Sequence, residues 1–337
     1  MPVPAAPAAE AAGPMALTEF DIIRRWFTPA RTRDGVRTGV GDDGAVLAPP
    51  PVRELVVVTD TLVEGVHFLP GADPADLGHR LLAVNLSDLA AMGAEPAWFT
   101  LNLTVPAAEA VWFEGFAAGL GALAERWDMA LVGGDTCRGP RVLSLTAAGT
   151  VPPGQALLRG GGRAGDAVYV TGTLGDAAAG LACLRGDRGG DACEALVQRF
   201  LRPEPRGAAG LALRGLASAC IDVSDGLAAD LGHLLAASGC GAVVEVEAVP
   251  VSPELERHEP DPERRLALAL GGGDDYELCF CVPPRAEDRL AAAAEAAGVG
   301  FTRIGELVRE PGLVLRHADG RPCPLPAGWT HFGEAAD

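Results

Sequence analysis

The sequence predicts a mixed protein of the α/β (α+β) class, built as two domains. Three observations carry that prediction. At 337 residues the chain is long for a single core. Hydrophobic residues make up 48% and charged residues 21%, a globular composition that can fill a sizeable core. Short β-branched or alternating apolar runs interleave with helix-like segments in both halves.

Taken in order, residues 1–16 read as a disordered tail. They start MPVPAAPAAEAAGP, with no cationic leader and interrupting prolines, which is not the pattern of a signal peptide. The first domain spans 17–153. Within it, Leu55–Thr59 (LVVVT) reads as a buried strand. Residues 74–92 read as a helix, with Asp73 or Asp76 near its start and Gly93 past its end. From 98 to 105, Phe99, Leu101, Leu103 and Val105 alternate with Thr100, Asn102 and Thr104, the pattern of a half-exposed antiparallel strand. Pro106 is expected to open a second helix, and 129–132 and 142–151 to be strands.

Pro152-Pro153-Gly154 breaks any regular element, so the second domain is set at 154–337. It opens on a Gly/Arg loop at 159–165. Strands are expected at 167–171, 219–223, 242–246 and 276–282. Helices are expected around 174–185, 193–201, 207–217, 225–237 and 284–297. The order of the strands is not readable from the sequence.

Composition narrows the function. The formal charge is −18, and the 27 basic residues are all arginine, since the chain has no lysine. Such a surface repels nucleic acid and anionic membranes. It repels phosphorylated substrates too, unless bound cations invert the local field. Without lysine there is no P-loop of the GxxxxGK[ST] kind, no protein-kinase strand lysine and no Schiff base. A GxSxG elbow is also missing. No apolar stretch reaches the ~18 residues of a membrane span. None of the eight cysteines forms a CxxC pair, and Cys279 and Cys281 read as small hydrophobes. The expected setting is the reduced cytoplasm.

Against that background, Asp42, Asp43, Asp60, Asp88, Asp135, Asp222 and Asp225 stand in short apolar or glycine-rich contexts. An uncompensated buried carboxylate costs several kcal/mol. Repetition of the placement implies shared cations, with Mg²⁺ the natural partner of carboxylate, hydroxyl and phosphate oxygens. Singly, each motif has a plainer reading. Gly41-Asp42-Asp43-Gly44 is compatible with an Asp-Gly turn, and Asp88 with an exposed helix stripe, a reading Ser87 favours. Ser224 or Asp225 could cap the following helix. The GGD of 133–135 and the TD of 59–60 read as strand ends. His67 follows Asp60 closely, whereas His79, His233, His258 and His317 read as structural.

The strings GVGDDGAVL, VVTDTLVEGVHF, AVNLSDLAAMGAEP, VGGDTCRGP, IDVSDGLAADLGHL and GGGDDYELCF follow one another from residue 39 to 280. Together they closely resemble bacterial thiamine-monophosphate kinase, of the superfamily of aminoimidazole ribonucleotide synthetase and selenophosphate synthetase. The resemblance runs over nearly the whole chain after about residue 17. It implies two mixed domains of the aminoimidazole ribonucleotide synthetase-like type and a homodimer paired through N-terminal domains that bind ATP and Mg²⁺. It also implies direct transfer of the γ-phosphoryl of ATP to thiamine monophosphate, giving thiamine diphosphate and ADP, with several Mg²⁺.

Residue by residue, it makes Asp43, Thr59, Asp60, Asp88, Asp135, Asp222 and Asp225 metal ligands. Gly134, Asp135, Arg159 and Ser224 become nucleotide contacts, with Arg159 a charge stabiliser. His67, Asp274 and Trp329 become substrate contacts. Two positions depart from the family pattern: Val58 stands where serine is common, and Asp274 where glutamate is common. Two other readings remain. One is another ATP-dependent enzyme of the superfamily, such as a ribonucleotide cyclo-ligase or selenophosphate synthetase. The other is a non-catalytic Mg²⁺- or nucleotide-binding protein.

Overall fold

The structure, a computed structural model, describes residues 17–28, 33–186 and 189–326. The expected tail at 1–16 and Trp329 lie outside the described residues. The N-terminal half contains α1 (Glu19–Ile22), β1 (Val36–Thr38), β2 (Val46–Leu47), β3 (Glu54–Val63), α2 (Pro74–Ala91), β4 (Glu95–Val105), α3 (Ala110–Arg126), β5 (Ala130–Arg138) and β6 (Val142–Val151). A π-helical turn, Ile23–Phe27, continues α1. The C-terminal half contains β7 (Ala167–Thr171), α4 (Asp176–Arg185), α5 (Cys193–Leu201), α6 (Gly207–Leu213), β8 (Ala219–Asp222), α7 (Leu227–Ser238), β9 (Gly241–Glu245), α8 (Pro253–His258), α9 (Pro262–Gly271), β10 (Leu278–Val282), α10 (Leu290–Ala297), β11 (Phe301–Val308), β12 (Gly312–Arg316) and β13 (Pro322–Cys323).

Two main sheets organise these elements. The first has the order β3-β6-β4-β5, with only β4 and β5 parallel. The second has seven strands, β13-β12-β9-β11-β7-β10-β8, antiparallel except for β12 beside β9. Antiparallel pairing dominates, so the mixed class resolves towards α+β.

The N-terminal sheet is covered on one face by α2 and α3. The α2 helix starts where the sequence says it should: the Asp73 carboxylate accepts from the Ala75 and Asp76 N–H groups, and Pro74 occupies the first position. Thirteen of its residues are buried, because the C-terminal domain packs on the side away from the sheet. There Ala90 and Ala91 join Leu213 and Phe280 in one apolar cluster. Close approach of α2 and α3 depends on Gly119, where an added Cβ would lie 1.9 Å from the Ala75 carbonyl oxygen.

Several expectations are corrected. The LVVVT run is not a buried strand: Leu55 is 54% and Val57 62% exposed. On this second face of the sheet, β1 and β2 cover Trp98 and Ala130 of β4 and β5 through Val36 and Leu47, and among the described residues no layer reaches the β3 side. The helix after Pro106 begins at Ala110, since the chain must turn back over the sheet before packing on α2. Asp60 and Asp135 do not end their strands. Long-range pairing of β3 with β6, and of β4 with β5, carries them to Val63 and Arg138. The strand expected from 276 starts at Leu278, because Tyr276 has φ 52°, outside strand geometry. The last Ala-rich helix is α-helical only from Leu290, after a 3₁₀ stretch.

Candidate active site

The edge of α2 facing the C-terminal domain carries Ser87 and Asp88. On one side runs β3, which alternates faces, so Val56, Asp60 and Leu62 point inward while Thr59 and Thr61 point outward. On the other side stands β8, ending at Asp222. The Ser87 hydroxyl donates to Asp222 Oδ2 at 2.7 Å, fastening helix and strand across the domain seam. Ser87 is therefore fully buried, and the exposed-stripe reading of this helix face is wrong.

Asp60, Asp88 and Asp222 sense one another across this seam. Burial, then the negative charges of Asp222 and Asp60, push Asp88 up to about 8. Burial, then Asp222, push Asp60 up to about 6. Asp222 is raised by burial and by Asp225, and is opposed by the Ser87 hydrogen bond and by Arg159. The Arg159 guanidinium, on the Gly/Arg loop, counters both Asp88 and Asp222. Loss of water around crowded carboxylates produces these shifts. A group of mutually repelling, all-oxygen donors fits a hard divalent cation.

The turn after β8 adds Ser224 and Asp225. Neither caps α7, whose N-cap is Gly226. Instead the Ser224 and Asp225 N–H groups both donate to Asp230 Oδ2 at 3.0 Å. Burial raises Asp230 to about 7, even though these backbone bonds pull it down. Asp230 escapes sequence reading because its position in an ordinary helical pattern gives no sign that it reaches back to the turn.

Asp43, Gly134 and Asp135 lie elsewhere. Strand register aligns Thr61, Ser144, Asn102 and Asp135 in one row, on the open face of the sheet. Asp60, Leu145, Leu101 and Gly134 form the adjacent row, on the covered face. Asp42, Asp43, Gly134 and Asp135 line a cavity of ≈ 500 Å³ with Phe20, Arg24 and Phe27. Gly134 sits two residues past a β-bulge with φ 150°, and a Cβ there would lie 1.9 Å from the Leu101 carbonyl oxygen, so strand pairing itself demands glycine. Thr59 is also on the open face, where its hydroxyl donates to the Leu145 carbonyl. The chain thus gathers Asp60, Asp88, Asp222, Asp225, Ser224 and Arg159 at the seam, with Asp43, Gly134 and Asp135 in a second group.

Asp274 belongs to a third group beside the seam. It has φ 61°, and its carboxylate accepts from Arg80 at 2.7 Å and from the Tyr276 hydroxyl at 3.1 Å. The Asp274 and Tyr276 N–H groups donate to Ser224 and Val223 carbonyls, so this loop lies on the Asp222–Asp225 turn. Arg80, only 2% exposed, also donates to the Phe200 carbonyl and stacks on the Phe200 ring at 4.1 Å. The signal for Arg80 was available, as a lone arginine inside the apolar run RLLAVNL. Phe68, Arg80 and Phe200 line a neighbouring cavity of ≈ 310 Å³. His67 precedes Phe68, and its Nδ1 accepts from the Val63 N–H at 3.0 Å, which puts the ring proton on Nε2.

Comparison with known proteins places this geometry. Residues 41–151 match the family model AIR synthase related protein, N-terminal domain, and 163–318 match AIR synthase related protein, C-terminal domain. The thiamine-monophosphate kinase of Salmonella typhimurium is 50% identical over 323 residues, covering 94% of this chain and 99% of the relative. The chain belongs to the thiamine-monophosphate kinase family. The family's Escherichia coli K12 enzyme is 49% identical over the same length. Among solved structures, the thiamine-monophosphate kinase of Stenotrophomonas maltophilia K279a aligns with a TM-score of 0.83 at 45% identity, covering 92% of this chain and 99% of that one. A structure described as AaThiL complexed with AMPPCP and TMP aligns at 0.74 and 33%, covering 87% and 92%. Escherichia coli HypE, at 23% identity and a TM-score of 0.66, shares the fold.

Proposed function

We propose that this chain is a thiamine-monophosphate kinase, transferring the γ-phosphoryl of ATP to the phosphate of thiamine monophosphate and releasing thiamine diphosphate and ADP. Family membership supplies the substrates. The observation that carries the reading is the convergence of Asp60, Asp88 and Asp222, from three elements in two domains, beside the Arg159 guanidinium. Two polyanions must meet on a protein of net charge −18. A charge-inverting site is the physical requirement, and buried carboxylates with raised affinity for protons have the matching appetite for cations.

In this reading Asp60, Asp88, Asp222 and Asp225 hold Mg²⁺ at the seam, and Asp43, Thr59 and Asp135 supply further oxygens. Bound Mg²⁺ would neutralise charge on the phosphates and draw their oxygens together. Among the described residues the tight three-donor cluster is Cys183, Cys193 and His258, so the aspartates are more loosely spread. Phosphate oxygens and water then complete each shell, as Mg²⁺ prefers.

The chain's own residues do the remainder. Arg159 offers a planar fork of N–H donors to the transferring group. Ser224 and Gly134 line the nucleotide path. The acceptor is already an ionised phosphate oxygen, so transfer needs positioning rather than a strong base. His67 and Asp274 border the acceptor side, with Arg80 holding the Asp274 carboxylate in place. Trp329 belongs to this acceptor set by family pattern. The domain division at 153/154, the cytoplasmic setting and a homodimer complete the proposal. The dimer is supported by the exposed β3 side of the N-terminal sheet, which presents Leu55 and Val57.

The test is incubation with ATP, Mg²⁺ and thiamine monophosphate, with thiamine diphosphate and ADP read by chromatography. Equimolar formation of both products is expected. ATP consumption with no thiamine diphosphate would assign the chain to another chemistry of the superfamily.

A further inference from the structure

Three helices of the C-terminal domain meet at a pair of sulfurs. Cys183 lies in the last turn of α4, Cys193 is the first residue of α5, and the two are joined as a disulfide with Cα atoms 5.8 Å apart. His258, the last residue of α8, touches both: Nε2 is 3.9 Å from Cys183 Sγ and Nδ1 is 3.9 Å from Cys193 Sγ. All three side chains are only half-buried. A cavity of ≈ 400 Å³ lined by Ala179, Ala182, Leu268 and His258 opens beside the imidazole. The sheet cysteines differ. Cys220, Cys279 and Cys281 are buried in the sheet, and burial pushes their thiols far up, away from reactivity.

We propose that Cys183 and Cys193 form a reversible thiol–disulfide switch that exchanges with a low-molecular-weight thiol of the glutathione class, and that its state tunes the grip on the phosphorylated acceptor. The second half rests on the proposed kinase function. In a reducing compartment a persistent bridge is rare, and one that forms is characteristically redox-responsive. Each ring nitrogen of His258 faces a different sulfur, so one imidazole serves either thiol. Cys193 opens a nine-residue helix, where the N-terminal field favours thiolate.

Closure proceeds in two balanced steps. Cys193 thiolate attacks glutathione disulfide, forming a mixed disulfide and releasing one glutathione. Cys183 passes its proton to His258 and attacks the Cys193 sulfur, closing the bridge and releasing the second glutathione, which takes that proton. Two protein thiols are oxidised and one glutathione disulfide is reduced.

The bridge fixes α5 against α4, and both helices hold the Asp274 loop. On α5, Arg199 pairs with Glu277 at 2.8 Å, and Phe200 supports Arg80, which holds Asp274. At the start of α4, the Gly175 and Ala177 N–H groups bind the Asp275 carboxylate. The held loop contains two left-handed non-glycine residues, Asp274 and Tyr276, a conformation that persists only when its surroundings impose it. Opening the bridge frees α5 to shift and relaxes that hold.

The experiment uses the full chain equilibrated in mixtures of glutathione and glutathione disulfide, then quenched, denatured and alkylated. Mass should move reversibly between six and eight added groups, since two of the eight cysteines are bridged. The His258→Gln variant should reach the same end states several-fold more slowly. Reduction should raise the KM for thiamine monophosphate several-fold with the KM for ATP unchanged. The Cys183→Ser/Cys193→Ser protein should match the reduced enzyme and ignore glutathione. Amide hydrogen exchange over 193–201 should quicken on reduction, which reads the coupling without any turnover. A bridge that resists excess glutathione in the native protein, zinc held by the reduced cluster in place of exchange, or reduction that leaves α5 exchange unaltered would each overturn the proposal. Absent turnover in both redox states would instead strike the kinase reading.

Discussion

Asp88 stands on α2 within reach of the charges of Asp222 of β8 and Asp60 of β3, and it is pushed up to about 8 by burial and by those two charges. Removing its charge should therefore relieve strain while destroying cation affinity. Asp88→Asn is expected to lower turnover at saturating Mg²⁺ by at least about 100-fold, the scale of losing a main electrostatic contact. The metal-free variant should melt no earlier than the parent, because a buried amide is less costly than a crowded carboxylate. Near-parental turnover would remove Asp88 from the metal set. Val58 calls for the opposite expectation. It is partly buried against the N-terminal core, in the inward row with Asp60. Val58→Ser should lose about 1 kcal/mol of stability through lost apolar burial. Turnover should stay within about two-fold, because the packing position gives a short hydroxyl little reach to phosphate. A large gain in rate would show that a ligand is missing there. The acidic residues were legible because carboxylates in apolar runs are costly. Ser87, Arg80 and Asp230 were not, because each acts through a contact with residues distant in sequence or on the far side of a turn, which local pattern does not record.

At the scale of elements, α2 is a spine with two buried sides, one on the sheet and α3, the other on the C-terminal domain. Its approach to α3 is limited by Gly119, where a methyl group would meet the Ala75 carbonyl oxygen at 1.9 Å. Gly119→Ala should cost about 1–3 kcal/mol, the range of core overpacking, read as a lower denaturant midpoint with an unaltered slope. An unchanged midpoint would mean that the two helices separate without penalty. Caps read one helix start well, since Asp73 and Pro74 fix the start of α2 by local chemistry alone, but Pro106 does not open α3 and neither Ser224 nor Asp225 caps α7. Strand ends were read poorly. Nothing near Asp60 or Asp135 announces that pairing with β6 or β4 continues past them, since register is set by partners distant in sequence, Leu145 for Asp60 and Asn102 for Asp135. The bulge before Gly133 escaped for the same reason.

The whole molecule is two domains held through α2, and the seam carries a titrating group away from the acidic cluster. His79 of α2 bonds the Pro203 carbonyl of the C-terminal half through Nε2 at 3.1 Å. Burial lowers its affinity for a proton, helped by Arg202 and opposed by the Pro203 hydrogen bond, Glu204 and Asp76. The folded value lies below the ordinary 6.5, so the unfolded chain binds the proton first as pH falls. This contribution is whole above 6.5 and is lost as pH drops through the folded value. His79→Gln should flatten the fall in melting temperature between about pH 7 and 5 relative to the parent. Parallel profiles would exclude His79 as a source of the acid sensitivity.

The exposed β3 side of the N-terminal sheet supplies the largest-scale expectation. It presents Leu55 and Val57 to solvent at 54% and 62% exposure, flanked by the hydroxyl pairs Thr59–Thr146 and Thr61–Ser144. The exposed β3 side of this face, with its mixed apolar and hydroxyl surface beside the Trp98 and Ala130 patch that β1 and β2 cover, suits a self-complementary contact with a second copy, buried across a two-fold axis. Val57→Arg would place two like charges near that axis without disturbing the monomer, because the side chain already points outward. Sedimentation should show a dimer for the parent and a monomer for the variant at micromolar concentration, with the far-ultraviolet spectrum unchanged. A variant that sediments with the parent would move the contact to another surface, and a monomeric parent would remove it altogether.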